Sequence, residues 1–159
     1  MAGRNDNLRK TGNQPNGFTT VELIVTIIIV GILAATVGSR LISTSVFDSR
    51  AFYDRSLTVV NYAQKEAIAR RTTVFVCIGA TTISASYAAG CSTPLPDPVT
   101  GGPMSFTAPS GVTLSPAGNF SFDGLGQPST GTTIAFISTI PNDPARQIVV
   151  ETGTGYAHP

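Results

Sequence analysis

Between positions 18 and 37 the chain carries one charged side chain, Glu22, in an otherwise apolar run: Phe18-Thr19-Thr20-Val21-Glu22, then Leu23 onward through Ala34-Ala35 to Val37. About 20 residues as an α-helix rise roughly 30 Å, the depth of a bilayer's hydrocarbon core. An acid at mid-depth costs on the order of a few kcal/mol. Glu22 stands at the front edge of the run, so it either lies at the interface or has a partner. The preceding stretch, 1–17, is polar, has no apolar core, and sets Arg4, Arg9 and Lys10 against Asp6. That positive charge keeps the leader cytoplasmic and directs the C-terminal part outward. Three plain alternatives are a signal anchor, a signal peptide cut near Ala34-Ala35, and a buried helix of a soluble protein. The run is too long and too apolar for the third. The first two do not explain why Gly17-Phe18 and Glu22 stand together at its head.

Gly17, Phe18, Glu22 and the apolar run behind them resemble the N-terminus of type IV prepilins and type II secretion pseudopilins. The resemblance implies cleavage after Gly17 by a cytoplasmic-side prepilin peptidase and N-methylation of Phe18. It also implies filament docking through Glu22, which pairs with the N-terminal amine of a neighbour. A secondary amine stays cationic, and a cation–carboxylate pair in low dielectric is far more favourable than either charge alone. The implied location is the bacterial inner membrane, single-pass, with the C-terminal domain in the periplasm, and afterwards a pilus or pseudopilus. The implied partners are other pilin subunits, the peptidase, an inner-membrane assembly platform and membrane lipid. Many type IV pilins carry a proline where Ser39 falls. Here Gly38-Ser39 stands instead, and Gly38 weakens a helix by about 1 kcal/mol relative to Ala, so a kink there is an open alternative.

Cleavage after Gly17 leaves 142 of the 159 residues, enough for one helix and one modest domain. The expected divisions are a leader over 1–17, a transmembrane and filament-core helix over 18–46, and a globular pilin domain over 47–159. Losing the leader removes three of ten basic and one of nine acidic side chains, leaving seven and eight. A near-neutral chain is a poor electrostatic case for nucleic acid.

Asp48 is positioned to N-cap a second, amphipathic helix over about 48–71, with Phe52, Leu57, Val60, Ala63, Ala67 and Ile68 recurring at helical spacing. Its last turn carries Arg70-Arg71, favourable at a helix C-terminus. Strands are expected at 73–78 and 81–87, forming a hairpin, then at 104–107, 111–114, 119–122, 132–138 and 146–151, with a last short one at 156–158. Pro94, Pro96, Pro98 and Pro103 mark 90–103 as a loop without regular structure. The fold class is α+β, a long N-terminal helix packed on antiparallel sheet. The 61–71 helix running directly into 73–77 is similar to the helix-to-strand junction of GspH/FimT-type minor pilins. The lead-in over 47–54 looks most like the minor pilins of mannose-sensitive haemagglutinin (MSHA) pilus systems.

An exported chain can oxidise Cys77 and Cys91, and closing a loop of about 15 residues stabilises by roughly 3 kcal/mol in the chain-entropy model. Two buried free thiols are the alternative. With His158 the only histidine, two cysteines do not make a four-ligand zinc set, and no cofactor is implied. His158 stands beside the C-terminus, where a Ser-His-Asp arrangement has no firmly placed base. Gly153-Thr154-Gly155 is a phosphate loop only in glycine content, since no helix follows. Asp97, Asp123 and Asp143 each sit beside Pro or Gly and read as turn residues, and Tyr53 and Tyr62 as helix packing. Lys65, Arg70 and Arg71 form the one dense basic cluster. Some relatives capture DNA with an arginine-bearing segment after the last strand; the equivalent 152–158 here has no arginine. The residues point to a structural filament subunit rather than an enzyme.

Overall fold

The structure is a computed structural model and describes residues 18–37 and 44–159. The leader, Gly17 and the Gly38-Ser39 break lie outside the described residues. The chain divides into two units, Met1–Ile42 and Ser43–Pro159.

The first unit contains α1 (Thr20–Val37). β-Branched and leucine side chains fill nearly every position, so this helix has no polar face to set against an apolar one. Among the described residues no helix is long and apolar enough to cross a membrane. The 18 described residues of α1 rise about 27 Å.

The second unit begins with α2 (Thr44–Arg70). The expected start at Asp48 is corrected: nothing in Thr44-Ser45-Val46-Phe47 breaks a helix, and Asp48 lies inside α2 rather than capping it. Its buried positions are Ser49, Phe52, Tyr53, Ser56, Val59, Val60, Ala63 and Ala67, one stripe at steps of three and four. Ile68, expected on that stripe, is 47% exposed. Ser56 is tolerated inside because its hydroxyl donates to the Phe52 carbonyl at 2.7 Å. The helix ends in a Schellman cap. Arg71 takes a left-handed φ of 50°, its N–H donates to Ile68 O at 3.3 Å, and the Thr72 N–H donates to Ala67 O at 3.2 Å.

Eight strands follow: β1 (Val74–Ile78), β2 (Thr82–Ser86), β3 (Ser105–Thr107), β4 (Val112–Ser115), β5 (Gly118–Phe122), β6 (Thr132–Ser138), β7 (Arg146–Val150) and β8 (Ala157–His158). They form two antiparallel sheets, ordered β3-β2-β1-β5 and β4-β6-β7-β8. Period-2 alternation sends Val74, Val76, Ile83, Ala85, Phe120 and Phe122 inward from the first sheet, and Val112, Leu114, Ile134, Phe136, Ile148 and Val150 inward from the second. Helix α2 packs on β1, β2, β3 and β5, and reaches β8 as well. Phe52 and Tyr53 meet Phe136 of the second sheet edge-on, with ring centroids 5.8 and 5.1 Å away.

The proline-rich segment is more ordered than its composition predicts. Pro94 bridges to Ser86, and Pro96 to Pro103. The Leu95 N–H donates to Ala85 O at 2.8 Å, and the Ala85 N–H to Met104 O at 3.1 Å. Leu95 and Met104 are buried, so two apolar anchors hold the loop down and leave only its tip outside.

Candidate functional site

Of the residues singled out at the N-terminus, Phe18 and Glu22 are described and lie at the head of α1, while Gly17 lies outside the described residues. Thr19 is the N-cap: its Oγ1 accepts the Glu22 N–H at 3.3 Å and its carbonyl accepts the Leu23 N–H at 3.1 Å. Glu22 thus sits in the first helical turn, where a carboxylate complements the positive end of the helix dipole. Phe18 is 76% exposed, and eight large apolar side chains from Val21 to Val30 are 47–69% exposed. A continuous apolar surface of that length marks a contact face for lipid or other helices.

In the second unit Cys77 and Cys91 form a disulfide, with Cα atoms 6.3 Å apart. It ties the 88–93 turn to β1. The same turn is held by Ser86, whose buried hydroxyl donates toward Thr93 O at 2.9 Å and accepts the Ala88 N–H at 3.1 Å. Asn119 Nδ2 also reaches Ala89 O at 3.2 Å.

Of the basic cluster, Arg70 is engaged within the domain. Arg70 pairs with Glu66, and its guanidinium lies 5.0 Å over the Tyr87 ring. Tyr87 donates its hydroxyl to Glu66 Oε1 at 2.7 Å. That bond, against the opposing effect of burial, holds the Glu66 carboxyl below its usual range. Burial and the same bond push Tyr87 up to about 12. The trio clamps the last turn of α2 to the end of β2.

Asp97 and Asp123 are turn residues, as expected: Asp97 Oδ1 accepts the Val99 N–H, and Asp123 Oδ1 accepts those of Leu125 and Gln127. Asp143 does more. Its side chain is fully covered and pairs with Arg146 at 2.7 Å, and Ser49 donates its hydroxyl to Oδ2 at 2.6 Å. Burial pushes its carboxyl pKa up, but bonds from Ser49, Ser138 and Arg146 outweigh that and hold it below the usual value. No local pattern announces this contact, because Ser49 and Asp143 are 94 residues apart. His158 contacts Glu151 at 3.1 Å on the surface and stacks on Tyr156. Gly155 is a packing residue: a Cβ there would meet Gly126 O at 2.4 Å and Gln64 Nε2 at 2.7 Å. Among the described residues no group of three His, Cys, Asp or Glu side chains is placed to hold a metal ion.

The family model for type II transport protein GspH matches residues 54–154, from the middle of α2 to the turn before β8. The chain belongs to the GspH family. The match spans the helix-to-strand junction, the disulfide and both sheets of this GspH-family domain. Among solved structures, it is similar to the type IV minor pilin FimU of Pseudomonas aeruginosa, at 15% identity and a TM-score of 0.54, over 69% of this chain and 86% of that one. It is also similar to EpsH, the minor pseudopilin of the Vibrio cholerae type 2 secretion system, at 17% identity and a TM-score of 0.51, over 70% and 92%. At such identities the likeness establishes the fold: α+β, with a helix on antiparallel sheet. No curated protein matches the sequence.

Proposed function

We propose that this GspH-family chain is a minor pilin or pseudopilin, a structural subunit of a type IV pilus-like filament rather than an enzyme. The observation that carries the reading is α1: a carboxylate at the head of a helix whose apolar side chains lie exposed from Val21 onward, on a chain that also folds a GspH-type domain. In this reading the 1–17 leader is removed after Gly17 by a prepilin peptidase, and Phe18 becomes an N-methylated terminus. The 18–46 segment crosses the inner membrane, and the 47–159 domain stands in the periplasm. On delivery through the assembly platform, α1 exchanges lipid for the helices of other pilin subunits, and Glu22 takes the terminal amine of a neighbour.

The lead-in over 47–54 favours an MSHA-type filament, in which the subunit supports assembly. A second reading, a minor pseudopilin acting in type II secretion, is favoured by the family's description as a type II transport protein. DNA capture is disfavoured because Arg70 is engaged by Glu66 and Tyr87 and 152–158 lacks arginine.

Mass spectrometry of membrane-extracted protein tests the processing: the chain should begin at N-methylated Phe18, and Gly17→Ala should block or slow the cut. Glu22→Ala tests the docking. It removes a charge from an apolar helix, so membrane insertion should match or exceed wild type, while incorporation into sheared filaments should fall because a neighbour's amine is left unpaired in low dielectric. Equal amounts in sheared filaments at equal membrane levels would reject the docking role of Glu22.

A further inference from the structure

The far end of α2 carries an apolar surface that the domain itself does not cover. Leu125 is 80% exposed and Ile68 is 47% exposed. Together with Arg71 and Gly124 they line an open recess of about 650 Å³. An exposed leucine in a loose loop would mean little, but this loop is held. Asp123 Oδ1 accepts the Leu125 and Gln127 N–H groups, both at 2.9 Å. The Gly126 N–H donates to Asp123 O at 2.9 Å, and Gln64 of α2 donates to Gly126 O at 3.0 Å. At Gly124 the loop backbone lies against the helix cap, where a Cβ would come within 2.9 Å of the Arg71 carbonyl carbon. Leu125 is therefore presented on a fixed platform, and a partner that covers it need not order the loop first.

Two cations flank this apolar centre. Lys65 lies one turn before Ile68 on the same helix face, and Arg71 follows in the cap. Both are exposed, and among the described residues neither is in an ion pair. Arg70 between them is occupied by Glu66. Asp123, two residues before Leu125, spends its Oδ1 on the turn. Two cations around a leucine do not make a phosphate-tracking groove, which needs a basic stripe and stacking aromatics. We propose that the Lys65–Ile68–Arg71–Leu125 surface docks a protein segment that presents an apolar side chain between carboxylates. The apolar side chain enters the recess against Leu125 and Ile68, and the carboxylates meet Lys65 and Arg71. This inference stands on the domain alone, so the outcome of Glu22→Ala does not bear on it.

A photoactivatable benzophenone amino acid placed at Leu125 of the full-length chain, irradiated in the cells that make it, reads the contact directly. One protein adduct is expected, and the linked peptide, mapped by mass spectrometry, should carry an apolar residue flanked by carboxylates. Lys65→Glu with Arg71→Glu should lower the adduct yield about tenfold, and reversing the mapped carboxylates to lysine should restore it. Arg50→Glu, in the first half of α2, should leave the yield unchanged. The proposal is overturned by no adduct, by an adduct to lipid or nucleic acid, by a linked peptide without carboxylates, or by a yield indifferent to the charge reversals.

Discussion

Gly155→Ala is a one-methyl test of how the C-terminal segment is held. Gly155 sits at φ +68°, and an alanine in that left-handed region costs about 1–2 kcal/mol. Its Cβ would stand 2.4 Å from Gly126 O, 2.7 Å from Gln64 Nε2 and 3.0 Å from the Phe122 ring. The first is backbone of a held turn, so Gly155 must move away. Gln64 donates one bond to Gly126 O at 3.0 Å and one to Thr154 O at 2.9 Å, and the movement separates these two acceptors. Losing one bond, at about 1 kcal/mol, brings the total to about 2–3 kcal/mol. For a domain of this size that lowers the melting temperature by about 10 °C. Gly153→Ala is the matched control: nothing lies within 4 Å of its Cβ. Thermal melts of the detergent-solubilised full chain, followed by circular dichroism, should show Gly153→Ala close to wild type and Gly155→Ala far below it. Equal melting temperatures for the two variants would refute the argument that Gln64, Gly126 and Gly155 form one packed node.

Replacing Cys77 and Cys91 together by serine should lower stability by about 3 kcal/mol through loop-closure entropy, and in the native oxidised protein both sulfurs should resist alkylation without reductant. Asp143 has a depressed folded value, so its contribution is full above the unfolded value near pH 4 and is lost as pH falls through the lower folded value. Asp143→Asn should therefore cost about 2 kcal/mol at neutral pH and flatten the acid limb of a urea-unfolding series measured against pH. Arg71→Gly relieves a left-handed residue at the helix cap and should raise stability by about 1 kcal/mol, read from the denaturant midpoint.

Strand positions were legible from composition and from the turn residues around them. Val74 through Ile78, Thr132 through Ser138 and Arg146 through Val150 are short runs rich in β-branched and aromatic residues, and turn residues bound them. The end of α2 was legible for a similar reason, since Arg70-Arg71 runs straight into β-branched residues. Its beginning was not: Asp48 has the chemistry of a cap, but a cap is used only where the chain must stop being helical, and nothing before Asp48 forces that. Side-chain pairings across the fold left no local trace. Ser49 with Asp143, Glu66 with Tyr87 and Gln64 with Thr154 join α2 to strands and turns that only the topology brings near. Asp143 beside Asn142 and Pro144 reads as a turn residue until Ser49 and Arg146 are placed around it. Gly17, Phe18 and Glu22 were singled out by their resemblance to prepilin N-termini, and the structure adds Thr19 as the cap that sets Glu22 in the first turn.

The distribution of polarity over the domain narrows where partners can be recognised. Sheet edges are templates for foreign strands, and two of them here are occupied. The β4 edge gives its Leu114 N–H to Ala80 O, and the Ser121 carbonyl on the β5 edge takes the Ser129 N–H. The outward sheet faces carry almost no charge: Ser105, Ser84, Cys77 and Asn119 line up across the first sheet, and Ser115, Ala135 and Gln147 across the second. Uncharged faces of this kind give a partner little to discriminate electrostatically. Charge is concentrated on α2, in Asp48, Arg50, Asp54, Arg55, Lys65, Glu66 and Arg70. Electrostatic selection between partners therefore falls largely to this helix and its cap, the same element that packs against both sheets. A charge reversal at the Lys65–Arg71 end of α2 should change which partner binds, while a substitution on its buried side should change whether the domain folds.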